Sequence, residues 1–372
     1  MSLLRYFRLL VFVTVMSFCV GVSAQNEGLS ALREPPSIGL DTIKPLSGKT
    51  DNFVCYSGYV MPPFLNEGDS VAVVAPGFFT PDKEIIVIMS TLRSWGLVPF
   101  RAPNVGQQHA LRYAGTADQR LYDIEWALSN NSIKAVFCIR GGYGALHLIP
   151  HISPAMFRKQ PKWIVGYSDI TTLHSASVLG GTMSIHGAVG RELGSSKVCN
   201  MNYLLLRDLL FGNLPHYQVN RYNRYNKPGR VSGRLVGGNL TTLTTLLSTD
   251  FDVTRLDSII LFIEDVDEPY HNIDRMFNML RIHGVFDRCV GLVMGSFSQC
   301  RKDFGCENVY ELLSPYFKDL NIPVLCDFPT GHGPYNFPLI EGAPATLDVN
   351  ETASTLIFNI EGRWQPVGYP WN

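Results

Sequence analysis

The chain has 372 residues, 46% of them hydrophobic and 17% charged, and its 31 basic and 32 acidic side chains leave a formal net charge of −1. That composition excludes wholesale disorder and a small disulfide-stapled module, and at roughly 150 residues per domain the length predicts about two domains. The even charge balance supplies no global field for nucleic acid or an anionic membrane, so the expected partner is small and no nucleic acid is expected.

At the N-terminus Arg5 and Arg8 precede an apolar stretch over residues 9–22 that closes on Val22-Ser23-Ala24. This is the pattern of a secretory signal peptide, residues 1–24, cleaved before Gln25. The run is short of the roughly 20 apolar residues that a membrane span needs, and no later stretch is long enough either. Export, to the periplasm, without stable membrane insertion is the expectation. Eight cysteines less Cys19 leave seven, an odd number that cannot all pair. Cys138 and Cys326 lie in apolar strand-like runs and read as buried thiols, whereas Cys300 and Cys306 flank a polar loop and are able to pair. C-x-x-C and H-E-x-x-H are both missing from the sequence, and neither a metal nor a cofactor is expected.

Residues 25–67 are polar and proline-rich and read as an N-terminal tether. From Ser70 onward short β-branched runs alternate with helical stretches, the signature of a parallel α/β sheet. Strands are predicted at 71–75, 97–100, 135–139, 163–167 and 183–186, with helices at 82–95, 117–128 and 170–179. Thr116 and Gln119 form a capping box at the second helix. Between 215 and 232 the periodicity fails and tyrosines interleave with Arg221, Arg224, Lys227 and Arg230, which reads as an interdomain linker. A second α/β unit comes next, with strands at 258–263 and 290–294 and near 324, 346 and 356, and helices at 273–282 and 309–320. The expected fold is therefore α/β: an N-terminal parallel-sheet domain over 68–214, and a second, smaller α/β domain over 233–372.

In open α/β sheets ligands bind beyond the carboxyl ends of the strands, so the residues just after each strand are the informative ones. After 135–139 comes the glycine-rich turn Arg140-Gly141-Gly142-Tyr143-Gly144, which matches neither a P-loop nor G-x-G-x-x-G. After 163–167 comes Ser168 in Gly166-Tyr167-Ser168-Asp169, placed as a nucleophile at a strand–helix elbow or as an N-cap serine. Glu264 continues an apolar strand, where a carboxylate is costly to bury without a partner. Of the nine histidines, His332 stands out in the loop Gly331-His332-Gly333, and loops on rigid scaffolds are where catalytic groups collect.

These runs, with Gly233-Arg234-Leu235-Val236-Gly237-Gly238-Asn239-Leu240 and Ile273-Asp274-Arg275-Met276, occur in the order found in the LD-carboxypeptidase family of serine peptidases, which the chain resembles. That family includes the murein tetrapeptide LD-carboxypeptidases and the microcin C self-immunity proteins. The resemblance runs from about Gly68 to Leu347. It implies a two-domain, homodimeric enzyme with a Ser–His–Glu triad on Ser168, His332 and Glu264, and oxyanion-hole amides at Asp169 and Gly142. The implied substrate is a murein peptide, from which the LD-amide to terminal D-alanine is cleaved. Other readings stay open: a microcin C-like aminoacyl-nucleotide amide hydrolase, an exported esterase or amidase of broad specificity, and a wall-binding protein with a decayed site. A terminal carboxylate in an enclosed site needs a cation or several N–H donors, and Arg140, Arg191 and Arg234 lie in or beside the motif turns. One of the three is expected to bind it.

Overall fold

A computed structural model of the chain describes residues 47–50, 53–110, 112–188, 190–193 and 200–368. The expected signal peptide and most of the expected tether lie outside the described residues. Among the described residues no helix is long and apolar enough to cross a membrane.

Two large sheets dominate. The first has six strands in the order Leu339–Glu341, Ser184–His186, Trp163–Gly166, Ile133–Cys138, Ser70–Val74, Val98–Arg101. All its pairings are parallel except the one made by Leu339–Glu341. The strand Ser70–Val74 reads Ser-Val-Ala-Val-Val and is buried along its last four residues, as expected for a parallel sheet covered on both faces. Helix Asp82–Ser94 contributes Ile85, Ile88 and Leu92 to the core from one stripe. Helix Ala117–Ser129 starts at the predicted capping box, with Gln119 N donating to Thr116 Oγ1 and Thr116 N donating to Gln119 Oε1.

The second sheet has eight strands in the order Val324–Leu325, Cys289–Ser298, Ile259–Val266, Gly229–Asn239, Pro344–Val349, Ser354–Phe358, Asn213–Val219, Arg363–Gly368. Its first four strands run parallel, so their carboxyl ends gather on one edge. After Val324–Leu325 the chain crosses to the first sheet as Leu339–Glu341, with Leu339 opposite His186. It then returns to the second sheet as Pro344–Val349 beside Gly229–Asn239. Residues 326–338 therefore bridge the carboxyl ends of the parallel strands in both sheets, which places the His332 loop between them. The described residues make one compact unit.

Three segments differ from their sequence reading. The end of the supposed tether is a hairpin, Phe53–Tyr56 with Tyr59–Met61, turning through Ser57 and Gly58 at φ 50° and 85°; Tyr56, Met61 and Leu65 are buried in the core of the first sheet. The span 215–232 is not simply a connection: Asn213–Val219 is a strand that buries Leu214, Tyr217 and Val219, and the Tyr217 hydroxyl donates to Pro338 O at 2.6 Å. Strand Gly229–Asn239 also begins inside it. Cys300 and Cys306, able to pair on sequence grounds, are free thiols.

Candidate active site

Strand Trp163–Gly166 is fully buried and hands over to a 3-10 turn, Ser168–Ile170, and then to helix Thr171–Leu179. Ser168 sits at the handover with φ 66°, a left-handed conformation that costs a non-glycine residue roughly 1–3 kcal/mol and persists only where the surroundings enforce it. The Ser168 hydroxyl faces His332 Nε2.

Glu264 lies near the end of strand Ile259–Val266, in register with Asn239 on the neighbouring parallel strand, and is fully buried. Side chains alternate across a strand, so Asp265 turns the other way, where it accepts from Asn239 Nδ2, Thr241 N and Thr241 Oγ1. Burial, and then the neighbouring Glu264 charge, push the Asp265 carboxyl up to about 6. His332 meets Glu264 from the bridging segment. Gly331 before it has φ 101°, and a Cβ there would stand 2.5 Å from Glu264 Oε2, so only glycine allows this approach. The loop is pinned on both sides, by Gly331 N donating to Asn336 Oδ1 and Gly333 N donating to Ser296 Oγ.

The three groups form one chain of contacts. Glu264 Oε2 lies 2.6 Å from His332 Nδ1 and accepts from His332 N at 3.1 Å, and His332 Nε2 lies 3.2 Å from Ser168 Oγ. The Tyr167 ring backs the imidazole at 4.7 Å between centroids. Burial works against a charged imidazole, but the Glu264 charge and hydrogen bond outweigh it, and His332 is held above the usual histidine value. This arrangement can take a proton from a serine hydroxyl and stabilise the resulting imidazolium.

Gly141 packs against the nucleophile so closely that a Cβ on it would stand 2.9 Å from Ser168 Cβ and 3.2 Å from Ser168 Oγ. The turn over residues 141–145 is tied down from several directions. Phe78 N donates to Gly141 O, Ala145 N donates to Asp169 Oδ2, and Arg120 donates to both Pro76 O and Gly144 O. Burial pushes the Asp169 carboxyl up to about 6, against the hydrogen bond from Ala145 and the charge of Arg120.

The three candidate arginines part company. Arg140 donates to Phe79 O at 3.0 Å and lies 5.6 Å from the centroid of the Phe78 ring, which packs over Gly142, so it stands beside the turn at Ser168. Arg234 is opposite Ile259, five residues back along the strand from the Asn239–Glu264 pair, which is roughly 16 Å at strand rise. Its guanidinium stacks on Tyr59 and donates to Gly342 O, away from the triad. Arg191 lies in helix Gly190–Leu193, and its side chain is outside what the structure describes. Among the described residues no group of three or more His, Cys, Asp or Glu side chains is placed to hold a metal ion. Sequence reading missed Arg120, Tyr167 and the Asp169 side chain. Arg120 carried a usable signal, since it precedes the buried Ile124 and Ala127 by four and seven positions and so falls on the apolar stripe of its helix.

Two family models match the chain: the LD-carboxypeptidase N-terminal domain over residues 71–187 and the LD-carboxypeptidase C-terminal domain over residues 232–347. The chain belongs to the LD-carboxypeptidase family. The murein tetrapeptide carboxypeptidase of Pseudomonas aeruginosa is 31% identical over 259 residues, spanning 66% of this chain and 84% of that protein. The microcin C7 self-immunity protein MccF of Escherichia coli is 27% identical over 248 residues, spanning 59% of this chain and 72% of that protein. The crystal structure of muramoyltetrapeptide carboxypeptidase from Oxalobacter formigenes superposes with a TM-score of 0.72 at 26% identity, covering 79% of this chain and 99% of that one. This LD-carboxypeptidase family member is an enzyme, a serine-type hydrolase, and its fold is the two-domain α/β fold of the family.

Proposed function

We propose that the protein hydrolyses the amide between an L-configured centre and the terminal D-alanine of a murein tetrapeptide, with Ser168 as nucleophile, His332 as general base and acid, and Glu264 as the group that orients it. The observation that carries this reading is the continuous Glu264–His332–Ser168 contact chain at the elbow of the first sheet. Ser168 Oγ attacks the scissile carbonyl as His332 Nε2 takes its proton. The oxyanion is met by the amides of Asp169 and Gly142. Collapse breaks the C–N bond, the proton passes from His332 to the departing D-alanine amine, and an ester to Ser168 remains. Water then attacks this ester with the same base and frees the acid. Each preorganised amide is worth roughly 10²–10³ in turnover. Arg140, whose guanidinium donates to the Phe79 carbonyl beside the turn, is the residue we assign to the D-alanine carboxylate.

The relative named a microcin C7 self-immunity protein favours a second reading, in which the same triad cleaves the amide of an aminoacyl nucleotide. Incubating purified protein with a muropeptide mixture and following it by mass spectrometry tests the first reading. Loss of one alanine from tetrapeptides, and no such loss with Ser168→Ala, supports it. Intact tetrapeptides alongside cleavage of an aminoacyl sulfamoyl adenosine would overturn it in favour of the second.

A further inference from the structure

We infer that Asp169 and Arg120 act as a pair of positioning residues, a buried clamp that holds the 141–145 turn in register with Ser168 so that its amides meet the oxyanion; this rests on the hydrolase reading above. The turn needs outside support. Gly141, Gly142 and Gly144 have no side chains of their own to pack, and Gly142 and Gly144 adopt φ 93° and 136°. A segment of that composition loses much conformational freedom on ordering, yet an oxyanion donor works only if it is ordered before the reaction begins.

The clamp supplies that order from two sides. Asp169 directly follows the nucleophile, is 4% exposed, and accepts from Ala145 N at 2.9 Å through Oδ2, which ties the far end of the turn to the residue beside Ser168. Arg120, 2% exposed, reaches in from helix Ala117–Ser129 and donates through one nitrogen to Pro76 O and Gly144 O, each at 2.6 Å. Gly77 sits where the parts meet: a Cβ on it would stand 2.7 Å from Asp169 Oδ2 and 2.6 Å from Gly141 O. Three turns, each following a strand of the first sheet, thus converge on two buried charged side chains. Tyr113, whose ring centroid is 5.3 Å from the Arg120 guanidinium, and His147, with Nδ1 3.4 Å from Arg120 Nη2, complete the surroundings.

Burying two charged side chains is costly, and well-packed apolar residues often replace such groups without loss of stability, so stability alone gives little reason to keep them here. Placement of catalytic amides does. A donor that acts only on the transition state changes turnover and leaves ground-state binding alone, and a misplacement of about 1 Å can cost on the order of 10²-fold.

The test compares wild type, Asp169→Asn and Arg120→Lys in turnover of tetrapeptide, inhibition by a peptidyl boronic acid that forms a tetrahedral adduct, and thermal melting. Asp169→Asn should lower kcat by about 10- to 100-fold, leave KM within about threefold, and weaken the boronate in proportion to kcat. Arg120→Lys keeps the charge, but its side chain is one atom shorter and falls short of the two carbonyls that a single Arg120 nitrogen reaches, so it should show the same split. Unchanged kcat, equal effects on kcat and KM, or full activity in Arg120→Lys overturns the clamp. Failure of both variants to fold overturns it too, because the pair would then be holding the fold. Absence of tetrapeptide turnover by wild type instead overturns the functional reading on which the clamp rests.

Discussion

The backbone N–H and the ring Nδ1 of His332 both meet the same oxygen of Glu264, at 3.1 and 2.6 Å. One carboxylate oxygen thus fixes both the position of the loop and the tautomer of its imidazole, leaving Nε2 unprotonated toward Ser168. Glu264→Gln keeps the shape but removes the charge that favours the imidazolium. The expected result is a fall in kcat of on the order of 10²–10⁴ with near-native circular dichroism. Turnover within a few-fold of wild type would show that Glu264 has no such role.

The pH dependence comes from the same pair. His332 must be neutral to accept the serine proton, and Glu264 holds its pKa above 6.5. Activity should therefore rise with pH through that raised value, so kcat/KM is low at pH 6 and climbs toward the alkaline side. In Glu264→Gln the largest raising influence is gone while burial continues to lower the value, so the same limb should move to lower pH with a reduced plateau. Profiles of kcat/KM from about pH 5 to 9 check both signs; a rate that falls as pH rises from 6 to 8 contradicts the assignment.

Gly331→Ala tests the close approach that lets Glu264 reach His332. The substitution places a Cβ 2.5 Å from Glu264 Oε2 and forces alanine into φ 101°. Backbone strain of this kind alone costs roughly 1–3 kcal/mol. Both melting temperature and kcat should fall, kcat more steeply because the imidazole is carried away from its carboxylate. An unaltered melting curve with full turnover would mean that the loop has room the structure does not show.

The N-terminal expectation is tested by expressing the full chain in a Gram-negative host and sequencing the mature N-terminus. We propose export with cleavage before Gln25, on the strength of the basic and apolar segments that precede Val22-Ser23-Ala24. A cytoplasmic product that retains Met1 contradicts it.

What the sequence made legible, and what it hid, divides along physical lines. The parallel strands around the site were readable because strands buried on both faces give unbroken apolar runs, as at Ser70–Val74 and Ile259–Val266. Ser168 and Glu264 stood out as polar groups where those runs end, and His332 as an imidazole between two glycines of a loop. Asn213–Val219 was not readable, because Pro215 and His216 interrupt its pattern and its pairing comes from strands more than a hundred residues away. The hairpin at Phe53–Tyr56 is too short for periodicity to register. Arg234 was misjudged because motif membership says nothing about which end of an eleven-residue strand a residue occupies. The clamp at Arg120 involves hydrogen bonds to carbonyls of remote turns, which leave no trace in the spacing of side chains.

Recognition of the chain end is the sharpest remaining test of specificity, and it turns on Arg140. The residue is partly buried, its guanidinium is held by Phe79 O, and it flanks Phe78, which packs directly over Gly142. A carboxylate entering this corner meets a cation already oriented, so little of the binding energy goes into ordering it. Arg140→Met keeps the bulk of the aliphatic stem and removes the charge. It should reduce kcat/KM for the tetrapeptide acid by about 10- to 100-fold, in the range of one lost charge-assisted hydrogen bond, while leaving a C-terminally amidated analogue nearly unaffected. Because Arg140 also fixes the Phe79 turn, the melting temperature must be measured alongside. Equal loss on acid and amide would assign Arg140 to holding that turn and move carboxylate recognition to backbone amides or to a second copy of the chain.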